Sequence, residues 1–343
     1  MRASLVVLLP LLALGCGAAA PRPATPASQA ADAGAARLRR EARALAPLAR
    51  SDLARGFLAA TAALPAVPPR VVFHDAAKTR YYSEAEAAAL PAAARPGLGR
   101  KVIDEEFYYS TRYGGPLPYA RPLDLLAAAG FTRAEGARIL DFGFGAIAQL
   151  TLLASLGADV VGVEDDPLVR ALYQGDDGPV TGPDGRRGRQ RVLVGSFPGE
   201  AGIRAAVGGG YDLVLVKNVL KQGYIHPARP APARQLIRLG VSDEEFVRVL
   251  YGLLKPGGRV MIYNLCPAQA PPDKPYIPWA DGRSPFPRAM LEAAGFRVLA
   301  FDADDTAFAR RMGRALGWDR GDEPMDLDRD LFAWYTLLEK PGP

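Results

Sequence analysis

Apolar positions run through this chain in two rhythms, short unbroken runs and runs of helical spacing, and the two alternate over most of its length. Positions 138–142 form a short apolar run that predicts a buried strand. Ile147, Leu150, Leu153 and Leu156 then repeat at near-helical spacing and predict a helix over 147–156. A second apolar run at 159–163 predicts another strand, with Glu164 just past its end. Strand, glycine turn, helix, strand and acid make one βαβ unit. Downstream the pattern predicts strands at 192–194, 211–216, 260–264, 296–301 and 331–339. Helices are predicted at 167–173, 202–207, 243–254, 289–294 and 304–318, the third opening on Ser242 with acids in its first turn. The Gly/Asp/Arg-rich stretch 175–191 reads as a surface hairpin insertion. Upstream, 37–64 reads as helical and ends at the prolines of 65–69, and 71–74 as a short extended piece. Ser83 opens another helix, 91–99 is a loop, and 122–129 is the helix that leads into the first strand of the unit. Strands alternating with helices in this way predict an α/β fold.

The turn between the first strand and its helix carries the candidate chemistry. Gly143 and Gly145 lack a Cβ, so bare backbone could lie against a ligand there. The helix start presents unpaired N–H groups. Glu164 stands where a carboxylate could accept two hydrogen bonds from a ribose diol, each contributing about 1.5–3 kcal/mol. Two ligand classes fit. Gly143-x-Gly145-x-x-Ala148 is close to a dinucleotide fingerprint with an acid about 20 residues on. S-adenosylmethionine (SAM) fits equally well, and Asp141 separates the two. A carboxylate just before the glycines sits poorly beside a pyrophosphate and well beside a sulfonium cofactor that carries an amino group. Tight strand–helix packing is the bland reading of the same glycines.

At these residues the chain resembles the class I SAM-dependent methyltransferases. Asp141-Phe-Gly143-Phe-Gly145 is similar to their first motif and Glu164 to their ribose-binding acid. Tyr211-Asp-Leu-Val-Leu-Val216 resembles their fourth strand, and Leu253-Leu-Lys-Pro-Gly-Gly-Arg-Val260 the turn into their fifth. The resemblance covers roughly residues 120–340. It implies a Rossmann-like, doubly wound seven-stranded sheet whose last strand is antiparallel, with a mainly helical accessory region before it, and it implies SAM as cofactor. In many members an acid after the third strand holds the adenine amine. Here Gly195-Ser196-Phe197 follows instead, so Ser196 or a backbone carbonyl would substitute, with Phe197 against the ring. The segment before the first strand often closes over the cofactor in such enzymes. That makes Tyr108, Tyr109, Arg112, Tyr113 and Tyr119 candidates to cover SAM or substrate, with packing of the accessory region as the competing reading.

The N-terminus changes the picture of where the protein works. Arg2, the apolar run 5–14 and Leu12-Ala-Leu-Gly-Cys16 resemble a bacterial lipoprotein signal in which Cys16 becomes lipidated. Cleavage after Ala20 is the alternative. The expectation is an exported, membrane-anchored lipoprotein, or a cytoplasmic protein if the start is misassigned. Because SAM is made in the cytoplasm, export conflicts with turnover. The division expected is a signal sequence at 1–20, a flexible tether at 21–35, an accessory, cofactor-covering region at 36–120 and a methyltransferase domain at 121–343.

Composition adds limits. The 343 residues, 49% hydrophobic and 23% charged, are those of an ordinary globular chain. A net charge of +5 permits an anionic partner without requiring nucleic acid, and none is expected. Two histidines and two cysteines leave no basis for a His/Cys metal site. The stretch 217–240 holds Lys217, Lys221, Arg229, Arg234 and Arg238 and no acid, beyond the end of a strand, which suits an anionic acceptor as well as a solvated loop. The Pro-rich loop 266–288 lies beyond another strand end. If SAM binds, His226 and Tyr224 are candidate bases and Lys217 an orienting cation. The functional expectation is a SAM-dependent methyltransferase acting on an unidentified, anionic, small-molecule or protein acceptor. An exported binding module without turnover and an NAD-dependent oxidoreductase are the other readings.

Overall fold

A computed structural model describes residues 34–322 and 324–342. Cys16, the signal sequence and nearly all of the tether lie outside the described residues. The centre is an eight-stranded sheet. In chain order its strands are β4 (Arg138–Phe142), β5 (Asp159–Glu164), β6 (Gly178–Thr181), β7 (Arg187–Val194), β8 (Tyr211–Lys217), β9 (Leu254–Cys266), β10 (Arg297–Asp304) and β11 (Phe332–Glu339). Across the sheet the order is β10-β11-β9-β8-β4-β5-β7-β6. β5, β4, β8 and β9 run parallel, while β11 runs antiparallel to both β9 and β10. This is the Rossmann-like, doubly wound arrangement with its chain reversal at β11. Strand order changes direction at β4, where α/β sheets open a crevice.

Seven strands are those the sequence pattern predicts; the eighth is β6. It forms a hairpin with β7, pairing Thr181 with Arg187, so the third strand begins near 187 rather than 192. This is the surface hairpin expected at 175–191; its first arm, Gly178–Thr181, is too short to register as an apolar strand on its own. β9 likewise starts early: Tyr211 pairs with Leu254 before a register shift, and Gly257, at φ +78°, carries the irregularity.

Alternation along the strands builds two cores. Ile139, Leu213, Leu215, Met261 and Tyr263 face one side, against the helix Ile147–Ala154 and the N-terminal helices. Leu140, Val161, Val214, Val216 and Ile262 face the other, against the helix Asp243–Leu253. Leu38, Phe57 and Leu123 belong to the first core and are fully buried, each worth about 1.5–3 kcal/mol on burial. The N-terminal region therefore shares the core of the main sheet.

That region is mainly helical, as expected, with a small sheet inserted. The predicted helix 37–64 is interrupted: the helix Gly34–Leu45 gives way to a 3₁₀ turn containing Pro47, and Ser51 caps a second helix, Asp52–Ala59, accepting from Ala54 N at 3.1 Å. A three-stranded antiparallel sheet follows, β1 (Arg70–His74) between β2 (Tyr81–Ser83) and β3 (Gly99–Ile103). The ring of His74 lies over Gly99, where a Cβ would come within 2.3 Å of it.

Candidate functional site

β4 ends at Phe142, and the chain turns into the helix Ile147–Ala154 through Gly143 and Gly145, at φ +69° and +70°. Both positions need glycine twice over. A Cβ on Gly143 would stand 2.3 Å from Val219 Cγ2, and one on Gly145 3.0 Å from Tyr113 Cβ. The residue ahead of the helix, Ala146, offers no side-chain cap, so the first N–H groups rely on other partners.

Glu164 closes the turn from β5. Its Oε2 accepts from Gly145 N at 3.1 Å and its Oε1 from Asp165 N at 2.9 Å. The side chain is buried, and that burial, with the neighbouring Asp166 charge, pushes its carboxyl up to about 8 against the two backbone donors. Asp141 and Lys217, from the adjacent ends of β4 and β8, form a fully buried ion pair through Oδ1 and Nζ. Asp141 Oδ2 is buried and has no hydrogen-bond partner. Burial pushes Asp141 up and Lys217 down, each opposed by the other's charge.

Two cavities meet over this turn. The larger, about 240 Å³, runs over Glu164 and Asp165 to Ser196, Phe197, Glu200 and Arg238. The smaller, about 30 Å³, is lined by Tyr113, Tyr119, Gln149, Lys217 and Asn218. Gly143, Glu164 and Val219 line both, so the two form one cleft along the carboxyl ends of β4, β5, β7 and β8. The small cavity holds about one water at roughly 30 Å³.

The Tyr113 segment sits across the small cavity. Thr111 Oγ1 donates to Gly145 O at 2.9 Å, and Tyr113 Oη donates to Asp166 Oδ2 at 2.9 Å, an oxygen that Arg112 also grips. Tyr119 Oη accepts from Asn218 Nδ2 at 2.6 Å, and Asn218 Oδ1 accepts from Leu265 N at 2.7 Å. Tyr108 and Tyr109, by contrast, are packed into the first core.

The cleft thus gathers Gly143, Gly145, Glu164, Ser196, Phe197, Tyr113, Tyr119 and Lys217. Asp141 lies behind Lys217 rather than in either lining. The structure does not bring His226 or Tyr224 there. His226 is on the exposed surface, its Nε2 2.7 Å from Asp243 Oδ2. Tyr224 is buried with an unpartnered hydroxyl, and its burial pushes the phenol up. The basic loop is largely spent on structure. Lys221 Nζ donates to Leu265 O at 2.6 Å and Trp279 O at 3.1 Å, and burial pushes it down to about 8. Arg229 donates to the carbonyls of Pro272 and Lys274.

Two lining residues escaped the sequence reading. Gln149 is 1% exposed, and neither its Oε1 nor its Nε2 has a partner. Its signal was one amide within an otherwise apolar helical run. Glu200 lines the larger cavity and accepts from Ser196 N at 3.3 Å. An acid is therefore present beside Ser196, four residues further along the chain. Among the described residues no group of His, Cys, Asp and Glu is placed to hold a metal ion, and no helix is long and apolar enough to cross a membrane.

No family model matches the chain, and no curated protein matches it. Solved structures do. The [4+2]-cyclase SpnF is 15% identical, with 65% of this chain and 81% of that one covered and a TM-score of 0.38. Phosphoethanolamine N-methyltransferase 2 of Haemonchus contortus, bound to phosphomonomethylethanolamine and S-adenosylhomocysteine, is 15% identical over 81% of this chain and 70% of that one, with a TM-score of 0.40. A 1,6-didemethyltoxoflavin-N1-methyltransferase of Burkholderia thailandensis, with 1,6-didemethyltoxoflavin and S-adenosylhomocysteine bound, is 16% identical over 65% of this chain and 78% of that one, with a TM-score of 0.34. The Rossmann-like assignment stands on the strand order and directions of this chain itself.

Proposed function

We propose that the cleft holds S-adenosylmethionine and that the chain transfers its methyl group to an acceptor. One observation carries the reading: Glu164, a buried carboxylate at the end of β5, faces a cleft whose floor is the Gly143–Gly145 turn. The residues fit the cofactor. Glu164 would accept from the ribose hydroxyls. Phe197 would lie against adenine, with Ser196 and Glu200 as polar partners. Gln149 and Lys217 would meet the amino-acid end, which supplies the donors and acceptors that the Gln149 amide lacks.

Bound there, the cofactor would supply a methyl already activated by its sulfonium for transfer to the acceptor's lone pair. The protein's part is chiefly orientation, which in well-aligned systems reaches effective molarities on the order of 10⁵–10⁸ M. Tyr113 and Tyr119 exclude water from the reacting end. Lys217 fixes charge beside it. His226, held on Asp243, is given no part in proton transfer.

Calorimetric titration with S-adenosylhomocysteine tests this. Micromolar binding is expected, reduced at least tenfold in Glu164→Ala and in Gly143→Val. A folded protein that binds no S-adenosylhomocysteine would favour a binding module without turnover, and binding of NAD instead would favour an oxidoreductase. We further propose that Cys16 carries the lipid of an exported, membrane-anchored form. Palmitate labelling that Cys16→Ala abolishes would support it, and an unlabelled protein in the cytoplasmic fraction would overturn it.

A further inference from the structure

Behind Tyr113 and Tyr119 lies a third cavity, of about 230 Å³. Its walls are mostly apolar: Leu265, Cys266, Leu316, Trp318, Met325 and Leu331. Tyr113, Gly114 and Tyr119 line both this cavity and the small end of the cofactor cleft, so the two spaces adjoin at this pair of tyrosines. At roughly 30 Å³ per water the cavity would take about eight waters, a space the size of a fused two-ring compound.

Its charges are few and already engaged. Arg37 Nη1 donates to Glu41 Oε1 at 2.8 Å, its Nη2 donates to Ser110 Oγ at 2.5 Å, and its buried Nε stands 3.6 Å from Glu106 Oε1. Glu41 and Asp330 also border the cavity. The lining thus holds one arginine and two carboxylates, Glu41 and Asp330, and an anion entering here would meet a local excess of negative charge in apolar surroundings, which is costly to bury. A flat uncharged ring would instead bury apolar area against the Trp318, Leu316 and Met325 side and leave a hydroxyl or amine for the polar edge.

We propose that this cavity is the methyl-acceptor site and that its substrates are uncharged, ring-bearing compounds with a hydroxyl or amine, not acids. The proposal rests on the methyltransferase reading of the adjoining cleft. It also explains why most of the cations that suggested an anionic acceptor are turned elsewhere: Lys217 holds Asp141, and Lys221 and Arg229 hold backbone carbonyls.

The test uses 2-naphthol and its acid counterpart 2-naphthoate as probes, with binding followed by probe fluorescence in the presence and absence of S-adenosylhomocysteine. 2-Naphthol is expected to bind at least tenfold more tightly than 2-naphthoate. Leu316→Trp, which fills the cavity, should weaken 2-naphthol at least tenfold and change S-adenosylhomocysteine affinity less than twofold. Trp318→Ala supplies a second perturbation in case Leu316→Trp does not fold, and thermal melting of each variant checks this. Equal or tighter binding of 2-naphthoate overturns the substrate class. No 2-naphthol binding, or binding that neither variant alters, overturns the site. If 2-naphthol binds as expected and S-adenosylhomocysteine does not, the cavity stands as a ligand site and the methyltransferase reading is what fails.

Discussion

Replacing Lys217 with Met should cost the protein about 3–5 kcal/mol of stability, and the pH should set how much. Asp141 is 0% exposed and Lys217 5%. The ammonium is the one hydrogen-bond donor on Asp141, because Oδ2 has no partner even with Lys217 present. Methionine keeps the length and apolar stem of lysine but leaves a buried carboxylate with both oxygens unsatisfied. Breaking a buried pair on one side costs about 3–5 kcal/mol. The carboxylate relieves this by taking a proton, and burial already raises its affinity for one. A carboxyl whose folded pKa lies above its unfolded value binds more protons folded than unfolded, so stability falls as pH rises between those two values. The Lys217→Met penalty should accordingly be smaller at pH 5 than at pH 8. Adding Asp141→Leu removes the stranded group and should recover most of the loss, since apolar replacement of a whole buried pair is often neutral or stabilising. Urea unfolding of the wild type, both single variants and the double variant at three pH values would measure the cycle. A single variant that loses less than about 1 kcal/mol at pH 8, or a double variant no more stable than Lys217→Met, would refute the reasoning.

Three further outcomes follow from the same site. Glu164, pushed up to about 8 by burial, should make stability fall between about pH 4.5 and 8, by at most about 1.4 kcal/mol per pH unit; Glu164→Gln should flatten that part of the profile in chemical denaturation. Gln149→Leu removes an amide with no partner on either atom, so it should leave stability unchanged or raise it by about 1 kcal/mol while weakening S-adenosylhomocysteine at least tenfold by calorimetry. Asp166→Ala removes the cap of the helix Pro167–Leu172 and the anchor of Arg112 and Tyr113; a loss of about 1 kcal/mol should accompany faster association of S-adenosylhomocysteine in stopped-flow mixing, because Tyr113 then holds the small cavity shut less firmly.

What could be read from the chain was what depends on near neighbours. The strand 138–142, the glycine turn, the helix and Glu164 lie within about thirty residues, and each leaves a local trace: an apolar run, a missing Cβ, a spacing, an acid at a strand end. Pairings set by the sheet leave none. Asp141 and Lys217 are 76 residues apart and meet only because β4 lies beside β8, with Asp141 opposite Leu215 and Lys217 two residues beyond it. Read along the chain, Asp141 was an acid waiting for a cofactor's amino group and Lys217 a cation waiting for an anionic substrate. In the fold each is the other's partner, and both assignments change together. The same holds for β3, where Arg100, Lys101 and the exposed Val102 show no apolar alternation and pairing with β1 alone makes the strand. Gln149 runs the other way. The lone amide stands in plain view in the sequence but its meaning does not: it is the unpaired state of its two polar atoms that makes the small end of the cleft a place for a polar ligand. A helix that served packing alone would be more stable with leucine in place of Gln149.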